Sequence, residues 1–134
     1  MSYILSPKGF LQVGGVVLVL VAVLGFVGII GPTAESLFGS YWYFDNVENL
    51  AHLVLGVVAL VLAFWGGSEI QKWITVAVGA IAIIAALWSV FGAVPDGSNL
   101  LGAQLQNPAD TVLHAVVGVW ALVAGLKKGE MSSY

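Results

Sequence analysis

Four long apolar stretches separated by short polar breaks set the frame of this chain. The first is uncharged from Gly9 to Ala34, and its apolar part covers about Phe10 to Ile30. The others follow at about 49–67, 73–94 and 111–126. A helix rises ~1.5 Å per residue and a bilayer core is ~30 Å thick, so the first three are long enough to span. The fourth has 16 uncharged residues, about 24 Å of helix. Lys127 and Lys128 can snorkel from its one end while Asp110 reaches the water interface at the other. The first stretch is too long for the apolar part of a signal peptide, and no A-x-A cleavage site follows it. The expected fold is therefore all-α: an integral membrane four-helix bundle, one domain over residues 1–134.

Composition supports this and removes several function classes. The chain is 60% hydrophobic and 8% charged, against about a quarter charged in a soluble domain. Its four basic residues are all lysine, too few for a nucleic-acid footprint. Cysteine is absent, which excludes disulfides, thiol catalysis and thiolate-held metals. Four spans place Lys8, the Glu69–Lys72 turn and Lys127/Lys128 on one side. Glu35, Asp45, Glu48, Asp96 and Asp110 fall on the other, with no basic residue among them. The positive-inside rule then puts both termini in the cytoplasm of a bacterial inner (plasma) membrane. The lipid bilayer is the first expected partner.

The connections carry lesser signals. Gly66-Gly67-Ser68, followed by Glu69 and Lys72, reads as a tight turn between the second and third spans. Tyr41-Trp42-Tyr43-Phe44 suits the headgroup layer, as do Trp65 and Trp73 at the opposite boundary. Thr33 to Gly39 could open a short interfacial helix with Thr33 as its N-cap. Asp96-Gly97-Ser98-Asn99 signals a turn in the last connection.

The second and fourth spans repeat one another. Glu48-Asn-Leu-Ala-His52-Leu-Val-Leu-Gly56 aligns with Asp110-Thr-Val-Leu-His114-Ala-Val-Val-Gly118, and seven of the ten positions from each His to Val61 or Val123 are identical. Both copies run in the same direction, which predicts two repeated helical hairpins related by an axis along the membrane normal. Acid, His, Gly, Ala and Ala63 or Gly125 recur on one helical stripe. Small residues at that spacing let backbones approach in lipid. The second and fourth helices are thus expected to meet along this stripe, with His52 and His114 at one depth facing inward.

These are the only two histidines, and an ionisable group within a span is a functional candidate. The imidazoles could ligate a haem axially, with Gly56 and Gly118 making room for the macrocycle. They could instead each hold the magnesium of a chlorophyll-type pigment. With Glu48 and Asp110 they could form a two-His, two-carboxylate metal site. Equally, each carboxylate could accept a bond from its own His four residues on, a fastening carried twice and nothing more.

The paired segments NVENLAHLVLGVVAL and NPADTVLHAVVGVWAL resemble a bacterial group of small four-helix membrane proteins of unknown function, with His and, four residues later, Gly on helices two and four. That resemblance implies the fold and topology and no activity. The residues point first to a small accessory or structural subunit of a membrane complex in energy conversion or photosynthesis, alongside other membrane subunits. A proton- or ion-responsive transporter or channel component is the alternative, since imidazole titrates near neutrality. An enzyme is not expected: no serine–histidine–acid set, H-E-x-x-H or phosphate-cradling Gly loop is present.

Overall fold

A computed structural model describes residues 3–30, 37, 45–91, 98–100, 103–105 and 109–127. Among them are four helices: α1 (Pro7–Phe26), α2 (Asn46–Trp65), α3 (Ser68–Phe91) and α4 (Ala109–Leu126). Each is long and apolar enough to cross a membrane. A two-stranded antiparallel ribbon, β1 (Ser98–Leu100) with β2 (Ala103–Leu105), lies between α3 and α4. The helix ends differ from those expected, and at α1 and the start of α2 capping chemistry accounts for the shift.

Helix α1 begins before Phe10 because Ser6 caps it: its Oγ accepts from the Gly9 N–H at 3.0 Å, and Pro7 occupies the first turn. Pro is suited to that position because its missing N–H would be unused there. The helix stops at Phe26, short of Ile30. Gly28 takes φ 95°, its N–H bonds the Gly25 carbonyl and that of Ile29 bonds Leu24, which together make a Schellman motif. Helix α2 starts at Asn46 and not Asn49, because the Asp45 carboxylate accepts from the Glu48 N–H at 2.9 Å. Helix α3 starts at Ser68, so Glu69 and Lys72 belong to its first turns and the connection from α2 is Gly66-Gly67 alone. Gln71 closes that corner by donating to the Leu62 and Ala63 carbonyls at the end of α2.

The outer faces are apolar. Val16, Leu20, Val57, Ile84, Val116 and Val119 are each about half exposed, and Trp65 is 81% exposed. In water such a surface would aggregate; it is the kind of surface that lipid chains can solvate. The interior is built from small residues, with Ala22, Ala121 and Ala124 fully buried, as suits helices held by close packing.

The helices pack as two hairpins, α1 with α2 and α3 with α4, and α1 is the main bridge between them. Helices α2 and α4 scarcely touch. The expected seam between the second and fourth helices is therefore corrected: the small-residue stripe is buried, but each copy packs within its own hairpin. A Cβ at Gly56 would lie 2.8 Å from Val19 and 3.0 Å from the Gly15 carbonyl oxygen. One at Gly118 would lie 2.6 Å from Ile83 and 3.2 Å from the Gly79 carbonyl oxygen. Each hairpin thus crosses glycine on glycine.

The hairpins join at the end that carries the chain termini. Phe10 meets Trp120 edge to face with centroids 4.6 Å apart. The Trp120 indole donates to the Ile4 carbonyl at 2.6 Å, and the Thr75 hydroxyl donates to that of Pro7 at 3.5 Å. Lys8, Lys72 and Lys127 all belong to this end, while Asp45, Glu48 and Asp110 belong to the other. At the loop end Asn49 is fully buried over Gly25, and Ser89 bonds Thr111 across α3 and α4. Of the expected Asp96–Asn99 turn, Ser98 and Asn99 belong to β1, paired with Leu105 and Gln104. The Tyr41–Phe44 run, the 33–39 stretch apart from Leu37, Asp96, Gly97 and Lys128 lie outside the described residues.

Candidate functional site

Between the two hairpins lies a cavity of about 150 Å³, and both histidines line it. His52 is six residues into α2 and His114 five into α4, so each sits roughly 8–9 Å below the loop end of its helix. They reach the same space between the hairpins, which α1 joins at their terminal ends. Phe10, Leu11 and Trp120 form the lower wall; Leu18, Ala82 and Ala85 lie higher. Val17 and Ile81 also contribute and are about half exposed, so the wall they form reaches the surface of the bundle.

Both rings reach this one space, each from a different hairpin. The Nδ1 atoms of both are buried, and the His114 ring lies within hydrogen-bonding reach of the Asp110 backbone one turn before it. Apart from the imidazoles the walls are aliphatic and aromatic. Such a space does not solvate an ion, and it is comparable in size to an engineered apolar cavity that takes up a benzene-sized guest.

The carboxylates of the stripe lie elsewhere. Glu48 and Asp110 are almost fully buried at the first turns of α2 and α4 and are within electrostatic reach of each other. Neither lines the cavity. Both oxygens of Glu48 accept no hydrogen bond among the described residues, so the fastening of Glu48 to His52 does not form. No group of three His, Cys, Asp or Glu among the described residues is placed to hold a metal ion. The two-His, two-carboxylate site is accordingly not assembled.

Gly56 and Gly118 do not line the cavity either. Val19 and Ile83 fill the space that a macrocycle beside them would need. A tetrapyrrole also exceeds the cavity, because pockets for drug-sized ligands run to roughly 300–1,000 Å³. His52 and His114 thus share a site, whereas the two glycines serve the helix crossings. No family model, curated protein or solved structure matches the chain. The site is read from its own geometry.

Sequence reasoning missed the contribution of α1 and α3. Leu18, Ala82 and Ala85 carry no chemical signature. Gly15 and Gly79 were the available signal, since a small residue on each first helix of a hairpin permits the crossing that aims the neighbouring His inward.

Proposed function

We propose that this chain is a small accessory subunit of a bacterial membrane complex that holds a ligand between its two hairpins through His52 and His114. The observation that carries this reading is that two histidines, one from each hairpin, line one apolar cavity. The apolar outer faces of all four helices offer surface to lipid or to other subunits.

The orientation belongs to the same proposal. With Lys8, Lys72 and Lys127 at the terminal end and Asp45, Glu48 and Asp110 at the other, the positive-inside rule supports both termini in the cytoplasm of an inner membrane. So does a duplicated hairpin: the His-bearing helices α2 and α4 each cross their partner at a glycine, Gly15 or Gly79. Binding is favoured over catalysis because no acid or nucleophile lines the cavity beside the imidazoles among the described residues. Conduction is disfavoured for a related reason. Thr75, Gln71 and Ser89 spend their side chains on backbone carbonyls or on Thr111, leaving no polar route beyond the histidines among the described residues.

The test is purification from native membranes in mild detergent, with an absorption spectrum and identification of co-purifying chains. Stable partner subunits, together with a bound small molecule lost in His52→Ala, are expected. A monodisperse protein with neither partner nor bound molecule would overturn the proposal.

A further inference from the structure

We propose that the loop end of the bundle carries a proton-binding site, with Glu48 holding one proton beside the Asp110 carboxylate. The site is separate from the cavity, whose walls include neither residue, and it does not depend on a ligand there. Glu48 is 4% exposed and Asp110 1%. They belong to different hairpins, and each stands one turn nearer the loops than the histidine on its own helix face. Because His52 and His114 line one space, the two carboxyls share the gap above it, within electrostatic reach of each other.

Glu48 supplies the observation that calls for a ligand. Both its oxygens are buried and accept no hydrogen bond among the described residues. A buried ion left so is strongly disfavoured, and two like charges in one site of low dielectric do not both ionise. One bound proton removes both penalties. The packed elements bring no counter-charge instead. Helix α1 carries only Lys8, and α3 only Glu69 and Lys72, all at the terminal end. Strand β2, packed on α2, brings Ala103, Gln104 and Leu105. On α2 and α4 themselves stand Asp45, a further acid, and the two imidazoles, which face apolar walls where an imidazolium would be unsolvated. A metal ion would need more ligands, and no group of three His, Cys, Asp or Glu among the described residues is placed to hold one. Asp45, half-buried at the helix start and bonded to the Glu48 N–H, gives the proton a way in. The apolar cavity beneath gives it no way onward, so the site loads and unloads from the loop end alone.

Infrared spectra of the full chain in nanodiscs of ether-linked lipid, which has no ester carbonyl, test this. A protonated carboxyl shows a carbonyl stretch that a carboxylate lacks. At neutral pH the wild type should show such a band, which Glu48→Gln removes and alkali abolishes. Heavy-carbon labelling of the glutamate carboxyls should shift it, which assigns the band even if a variant fails to insert. Asp110→Asn takes away the neighbouring charge and should weaken proton binding about tenfold. No glutamate-dependent band at neutral pH would overturn the proposal, and an unchanged titration in Asp110→Asn would overturn the pairing. Loss of the band on adding sodium at constant pH, but not N-methylglucamine, would make the ligand a small cation and overturn the proton.

Discussion

His52 and Glu48 stand one turn apart on α2, yet they do different work. The imidazole lines the cavity, while the carboxylate is buried at the helix start with both oxygens unbonded among the described residues. A carboxylate there gains from the positive end of the helix dipole, ~0.5 kcal/mol, but loses more by desolvation. Glu48→Gln should therefore raise thermal stability, by about 1 kcal/mol; a lowered melting temperature would show that the carboxylate has a partner. Gly28 is constrained differently, since its φ of 95° suits only a residue without a side chain. Gly28→Ala should destabilise by about 1 kcal/mol, read as a shift in the melting curve of the detergent-solubilised protein.

At the scale of elements, the number of helices and their approximate extents were legible in the hydropathy pattern, because lipid demands long uninterrupted apolar runs. Their ends were less so. Asp45 and Ser6, which cap α2 and α1, were not read as caps, because three or four residues of helix could be added at either place without altering hydropathy. The stripe of Glu48, His52, Gly56, Ala59 and Ala63 correctly named the face that is buried. It could not name the partner, since a small residue permits close approach to any helix. Gly118→Leu separates the two arrangements: its side chain would enter Ile83 and the Gly79 carbonyl of α3, costing ~2–3 kcal/mol by overpacking. Suppression of that defect by Ile83→Ala is the expected outcome. Suppression by small residues on α2 alone would restore the α2–α4 seam.

For the whole molecule, the placement of His52 and His114 on the inside was legible, but the cavity was not. It arises from how α1 bridges the hairpins, through Phe10 against Trp120 and the bond to Ile4, a tertiary arrangement that no local pattern encodes. The space expected beside Gly56 and Gly118 is filled by Val19 and Ile83, since those glycines are spent on the crossings. Orientation is testable at this scale too. A fluorescent protein fused after Tyr134 should fold in the cytoplasm, and alkaline phosphatase inserted in the 31–44 connection should be active outside; the reverse pair would invert the topology. The central claim is that the space between the hairpins holds a ligand. Native mass spectrometry of the protein released from its own membranes, wild type beside Ala82→Phe, tests it most directly. A bound small-molecule mass on the wild type that is missing from the filled variant is the expected result, whereas the same bare or bound mass on both would contradict the claim.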